Sequence, residues 1–235
     1  MIAIIDGDNL MHAAFFVTKD APSNKRVIRT VRLFTSMVDN ITTELDIKKS
    51  YIAWDTEDGK NWRKEILPEY KANRQPKDPK YARCVEKAFA NITKNQFNIR
   101  MPGAEGDDII FALCNVIKQH KVIISSDHDF IQIIQNGDAY AVYDQKAHKY
   151  MEIPKISIII EKAICGDKSD NLKGVPGYGP KSVEKVVQSG FKLFNENEYE
   201  IFRKHVKVIG LTNNPNKKAI YDFVHKYVYA MDVGF

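Results

Sequence analysis

Three short apolar runs in this chain end on an aspartate: AIID at 3–6, YIAWD at 51–55 and IISSD at 123–127. Each is too short for a helix and almost wholly apolar, the pattern of a strand buried on both faces of a parallel sheet. A fourth run, Tyr140–Asp144, has the same texture, but Asp144 lacks an acidic companion and reads as a turn residue. Helical stretches lie between them. Val27, Val31, Phe34, Val38, Ile41 and Leu45 recur at three- and four-residue spacing, and Ile109, Ala112, Leu113 and Val116 repeat the pattern over 108–118. Strands alternating with helices imply an α/β fold with a mostly parallel central sheet flanked by helices. Ligands of such sheets bind beyond the carboxyl ends of the strands. The sheet would therefore bring Asp6, Asp55 and Asp127 to one edge.

At 235 residues, with 44% hydrophobic and 28% charged, the chain can bury one substantial core plus an appendage and is too apolar for disorder. Its longest apolar candidate, Ile156–Ile160, falls far short of the roughly 18 residues of a membrane span. The N-terminus has no basic flank and carries Asp6 and Asp8, so a signal peptide is not expected. A cytoplasmic location is expected, that of the host if the chain comes from a phage. Cys84, Cys114 and Cys165 form no CxxC pair, and the six histidines show no HExxH spacing, which argues against zinc and disulfides. His128, between two aspartates, reads as a bystander.

The net charge of +5 is mild, but its distribution is not. The stretch from Asp58 to Lys94 alone carries +5 and is broken by Pro76 and Pro79, the composition of a basic arm over a site or of a solvated loop and surface helix. After Ile153 the pattern turns helical, with Pro154 suited to a first helical position. The glycine-dense GVPGYGPKS follows, then a helix from Pro180 and further helices near Glu198–Val208 and Lys217–Met231. The expected division is a core over 1–153, including the arm at about 58–94, and a helical region over 154–235.

Acids cluster in five places: Asp6 with Asp8, Asp55, EGDD at 105–108, DHD at 127–129 and GDKSD at 166–170. Asp127 and Asp129 share a side in an extended segment, and Asp167 and Asp170 share a face on a helical turn. Two chemistries compete. DGD, ISS and GDKSD occur in the order of a haloacid-dehalogenase-type phosphatase, with Asp6 as nucleophile. Against it, Leu10 stands where that family has Thr or Val, and the late GD follows a helical pattern rather than a strand.

The second chemistry accounts for every block. WDTEDGKNWRKEILPEYKANR, EGDD, SSDHDFIQII and GDKSDNLKGVPGYGPKS, in this order, resemble the flap endonuclease and 5′→3′ exonuclease family. That family includes the nuclease domain of bacterial DNA polymerase I and free-standing bacteriophage enzymes, and the similarity runs from Asp6 to about Gly190. It implies a PIN-like 5′ nuclease fold with a helical arch and a C-terminal helix-two-turn-helix over about 155–190. It also implies two divalent metals, Mg²⁺ or Mn²⁺, held by Asp6, Asp55, Glu105, Asp107, Asp108, Asp127, Asp129, Asp167 and Asp170. Asp6, Asp55, Glu105 and Asp107 would serve the first metal, Asp127 both, Asp129, Asp167 and Asp170 the second, with Asp108 outer or shared.

Oxygen-only donors suit such hard cations. Setting these nine acids aside leaves 35 basic residues against 21 acidic ones, a surface suited to a polyanion. By the same resemblance Lys71 and Arg74 reach the scissile phosphate from the base of the arch, a 5′ single strand passes beneath or through it, and Tyr70 stacks on a base. Gly174, Gly177, Gly179, Lys181, Ser182 and Lys185 would hold the DNA backbone, with K⁺ in that loop. The substrates implied are DNA with 5′ ends or flaps, RNA–DNA primer hybrids among them, in replication, acted on by a monomer. No sliding-clamp peptide is evident at the C-terminus. Asp8 reads as a helix cap or an outer-sphere acid. A non-catalytic relative would have lost acids, and a PIN-type ribonuclease would have no use for GVPGYGPKS.

Overall fold

The structure is a computed structural model describing residues 1–59, 61–91 and 95–233. In chain order its elements are β1 (Ile2–Asp6), α1 (Gly7–Val17), α2 (Arg26–Glu44), β2 (Lys49–Ala53), α3 (Asn61–Ile66), α4 (Pro79–Phe89), β3 (Gln96–Ile99) and α5 (Gly106–Val116). They continue with β4 (Lys121–Ile124), α6 (Ile131–Gln135), β5 (Ala141–Asp144), β6 (Lys149–Tyr150), α7 (Ile158–Cys165), α8 (Pro180–Gln188), α9 (Glu196–Ile209) and α10 (Lys217–Val233). The sheet runs β3-β2-β1-β4-β5-β6, parallel except for the short antiparallel β6.

Strand residues alternate between two buried faces, as a period of two requires. Ile4, Tyr51, Ile99, Ile123 and Val142 face α5 and α10. Ala3, Ile5, Ile52, Val122 and Ile124 face α1, α2 and α4. The chain leaves β1 toward β2 and β3, then returns to lay β4 on β1's other side, so strand order reverses between β1 and β4. The crevice beyond such a reversal is where open α/β sheets bind ligands, and Asp6 and Asp127 stand at its two lips.

Three expectations change. The helix anticipated from Pro154 starts at Ile158, behind Ser157. The basic stretch is no free arm: Asp78 accepts from the Lys80 N–H and Pro79 opens α4, whose Tyr81, Cys84 and Ala88 are buried at three- and four-residue spacing against α1 and α2. Lys60 and residues 92–94 of that stretch lie outside the described residues. The helical C-terminal region also divides. Helices α7–α9 share a core with Leu67 and Tyr70, while α10 returns to α5 and its Tyr227 hydroxyl donates to the Asn98 carbonyl at 2.7 Å. No described helix is long and apolar enough to cross a membrane.

A close backbone approach sets the position of the EGDD block. A Cβ on Gly59 would lie 2.4 Å from the Ala104 carbonyl and 2.6 Å from the Glu105 nitrogen. Gly59→Ala is therefore expected to cost about 1–3 kcal/mol, as overpacking does. Urea denaturation checks this, and an unchanged midpoint would contradict it.

Candidate active site

Each acid is placed by the end of an element. Asp6 closes β1 and caps α1, accepting from the Asn9 N–H at 3.0 Å and the Ser125 hydroxyl at 2.9 Å. Asp55 lies two residues beyond β2 and accepts from the Gly106 N–H at 2.9 Å, the first amide of α5. Glu105 caps α5, and Asp107 and Asp108 occupy its first turn, where the helix dipole favours negative charge. After β4 the chain does not stay extended. Asp127 caps a 3₁₀ turn, His128–Phe130, and accepts from the Asp129 N–H at 2.9 Å, so the shared side expected of an extended DHD is replaced by a turn. Asp167 and Asp170 sit in a turn closed by the Asp167–Leu172 bridge, not on a helix.

The acids are interleaved with cations from their own chain. Arg63, 2% exposed, pairs with Glu105 and, at 3.0 Å, with Asp108. The Lys71 ammonium is 2.8 Å from Glu105 and 3.9 Å from Asp170, and Arg74 is 3.2 Å from Asp170. Lys162 joins Asp129 to Asp167, the latter at 2.6 Å. Lys77 lies 2.9 Å from Asp8 and 3.9 Å from Asp55. Among the described residues no three His, Cys, Asp or Glu side chains are drawn together as a ready metal cage.

Protonation follows this partition. Burial, then the charges of Asp55 and Asp127, push Asp6 up to about 7 against the bonds from Asn9 and Ser125. Burial and the charges of Asp6, Asp127 and Glu105 raise Asp107 well above the usual range, with Lys71 opposing. Burial and Asp127 lift Asp129 to about 6 despite Lys162. Burial, Asp8 and Glu105 also raise Asp55. The well-paired acids go the other way in spite of burial: Lys71 and Arg63 lower Glu105, Lys77 lowers Asp8, and Lys162 and Ser169 hold Asp167 at about 2. Asp6, Asp55 and Asp107, with the charge of Asp127 bearing on Asp6 and Asp107, are thus left under-neutralised by the chain's own cations. An all-carboxylate donor set of this kind fits hard divalent cations.

Several expected roles change. The Tyr70 ring is 2% exposed inside the α7–α9 core, so it has no face to stack on a base. Asp108 spends both oxygens on Arg63 and the Glu105 N–H, and is an anchor rather than a shared ligand. Gly174, at φ 76°, meets the chain's own backbone: a Cβ there would lie 2.6 Å from the Ile164 carbonyl. Gly177 and Gly179 have open space around them, and Lys181 and Lys185 are exposed beside them. Ser182, in the first turn of α8, steadies the helix start, its hydroxyl accepting from the N–H of the capping Gly179 at 2.9 Å. Asp144 is the expected turn residue, accepting from the Lys146 and Ala147 amides, and His128 is exposed. Four site residues escaped the sequence reading: Arg63, Lys77, Lys162 and, as a junction rather than a cap, Asp8. Lys162 left a trace there, as a lone lysine in the apolar IIIEKAIC five residues before Asp167.

Residues 1–162 match the family model described as 5′-3′ exonuclease, N-terminal resolvase-like domain. A 5′-3′ exonuclease of Mycoplasmopsis pulmonis is 28% identical over 200 residues, 79% of this chain and 65% of that protein. A DNA polymerase I of Caldicellulosiruptor bescii is 29% identical over 80% of this chain but only 24% of its own length. A flap endonuclease Xni of Shewanella loihica is 26% identical over 82% of this chain and 77% of that protein. The chain thus spans less than two thirds of some curated relatives. The crystal structure of the T5 D15 protein with metal ions superposes at a TM-score of 0.77 and 18% identity, over 98% of both chains.

Two outcomes are expected. Arg63→Met strands Asp108 as a buried unpaired charge and leaves Glu105 to Lys71, at a cost of about 3–5 kcal/mol; a denaturation midpoint close to wild type would contradict this. In metal-free protein the raised Asp6 and Asp129 hold protons that the unfolded chain releases near pH 4, so their contribution to stability falls as pH rises from about 4 to 7. A divalent cation needs these groups ionised, so Asp6 alone makes its binding about tenfold weaker at pH 6 than at pH 8. MgCl₂ should therefore raise Tm more at pH 8, and equal shifts in a thermal scan at the two pH values would refute it.

Proposed function

Since the chain belongs to the 5′-3′ exonuclease family, through the N-terminal resolvase-like domain that fills residues 1–162, we propose that it is a divalent-metal-dependent 5′ nuclease. It hydrolyses phosphodiesters at 5′ ends and flaps of DNA, RNA–DNA primer strands included. The observation that carries this is the under-neutralised set of Asp6, Asp55 and Asp107, joined by the charge of Asp127, at the reversal of strand order. These four, with Glu105, would hold one Mg²⁺ or Mn²⁺, and Asp129, Asp167 and Asp170 a second, with Asp127 between them. Bound cations supply an activated water and stabilise the leaving 3′-oxygen.

The chain's own residues do the rest. Lys71 is held at φ 54° by its N–H bond to the Asp170 carbonyl and its ammonium's bond to Glu105, so it enters the reaction already oriented. Arg74, half exposed beside Asp170, is placed to meet phosphate. Lys162 holds one oxygen of Asp129 and one of Asp167 and so competes with a cation for both acids. Lys181, Lys185 and the open glycines 177 and 179 form a helix-start surface for the DNA backbone, which reads charge rather than sequence and gives salt-dependent binding. That loop acts as a helix-two-turn-helix able to hold K⁺. A monomer working in primer or flap removal, in the cytoplasm, fits this reading.

Both Asp6 oxygens accept hydrogen bonds, from the Asn9 N–H and the Ser125 hydroxyl, which suits a phosphatase nucleophile poorly. A 5′-flapped duplex labelled at its 5′ end tests the reading. Wild type with Mg²⁺ should release a flap-sized or shorter fragment, EDTA should abolish this, and Asp127→Asn should slow it by at least the ~10–100-fold of a lost outer-shell partner. An intact flap in Mg²⁺ and Mn²⁺ across a range of salt would overturn it.

A further inference from the structure

Helices α5 and α10 and the turn at 211–214 enclose a cavity of about 260 Å³ that shares only Asp108 with the acid cluster. Its walls are apolar: Phe111 and Ala112 come from α5, Leu211 from the turn, and Ile220 and Tyr221 from α10. These walls are tied into the body of the protein. The Leu211 N–H donates to the Gln132 side chain at 2.9 Å, and Asn213 donates to the Val206 carbonyl at 3.2 Å. Leu211 and Ile220 also belong to the core on the α5 face of the sheet.

Polar groups complete the lining. Asn214, 2% exposed, accepts the Asn216 N–H on its Oδ1 at 2.8 Å, while its Nδ2 has no hydrogen-bond partner among the described residues. A buried donor left in this state is uncommon. Lys217 and Lys218 are exposed at the rim. The Lys217 ammonium has only the Thr212 carbonyl, at 3.4 Å, and no acidic partner among the described residues. Lys218 holds Asp222 in an exposed pair at 2.7 Å, which is worth little. Both lysines open α10, whose positive end adds to their charge. Asp108 does not oppose them, because Arg63 and the Glu105 N–H take up its oxygens. We propose that this cavity binds a small organic acid, an aromatic or branched apolar body carrying one anionic group for the two lysines, with the Asn214 donor on the same segment. The volume lies just below the ~300–1,000 Å³ of ordinary ligand pockets, so the occupant has roughly ten non-hydrogen atoms, a single ring or its equivalent. Such binding does not depend on the nuclease reading above.

The experiment titrates the full ¹⁵N-labelled chain with phenylpropionate, its uncharged amide and the cationic phenylpropylamine, and follows backbone amide shifts by NMR. Phenylpropionate should shift the amides of residues 111–115 and 211–221 with a Kd of about 1 mM or below. The uncharged amide should bind about threefold more weakly, and the amine about tenfold more weakly. Replacing both exposed lysines, Lys217→Ala with Lys218→Ala, should bring the acid down to the level of its amide. Ala112→Leu, which fills the cavity, should abolish binding of all three probes. No shift from any probe at about 20 mM, or acid and amine binding equally, would overturn the proposal. Shifts from the acid confined to other segments, or full binding by folded Ala112→Leu, would do the same. A peptide with acidic residues around one phenylalanine is the last arm. If it holds the same amides at least about tenfold more tightly than phenylpropionate, the cavity anchors a protein partner and the small-acid assignment falls.

Discussion

Mutual repulsion among carboxylates is the constraint around which this molecule is arranged. A parallel sheet brings β1 and β4 side by side at the reversal of strand order, and each ends near an aspartate. A third acid beyond β2 and the first turn of α5 add to the same crevice. Packing so many like charges into partial burial is unfavourable unless they are protonated or paired with cations. The fold uses both solutions. Glu105, Asp108, Asp167 and Asp8 have basic partners, while Asp6, Asp107 and Asp129 are pushed toward protonation.

The pairing also welds the molecule together. Arg63 lies under the start of α5 and donates to the Val208 carbonyl as well, so one buried guanidinium ties the acid cluster to the end of α9. Lys162 reaches from α7 to the 3₁₀ turn after β4, and Asp8 gathers three elements at the opposite lip. The same contacts that neutralise the acids therefore fasten the helical C-terminal part and the 67–78 segment to the sheet. Charge compensation and the shape of the entrance are one problem here, solved by the same few side chains.

Much of this could be read from the sequence where periodicity was strong. The three runs ending in aspartate are β1, β2 and β4, although β2 and β4 stop two or three residues before their acids, and α2 carries its apolar stripe within a residue of the expected bounds. Four-residue β3, QFNI, escaped because it mixes polar and apolar positions, with Asn98 buried to accept the Trp54 indole N–H at 2.9 Å. Helix α4 was expected only as a surface or arch helix, and its buried face was missed because Tyr81, Cys84 and Ala88 are interleaved with Lys80, Arg83 and Lys87. Arg63 gave no local signal at all. In a stretch with ten basic residues nothing distinguishes Arg63 as a buried one, because its partners lie more than forty positions away. Tyr70 failed for the reciprocal reason: it sits beside Lys71 in a polar motif, yet tertiary packing takes it inward.

Divalent cations would complete a charge balance that Lys162 and its fellow bases only partly satisfy. Diffraction from crystals grown with Mn²⁺, with data collected for its anomalous signal, tests this most directly. An anomalous peak is expected among Asp6, Asp107 and Asp127, with the Lys162 ammonium drawn away from Asp129 or Asp167 wherever a second peak appears. Crystals at saturating Mn²⁺ with no peak in the crevice and every lysine and arginine pair intact would contradict it, and would mean that the chain's own cations are all the acids require.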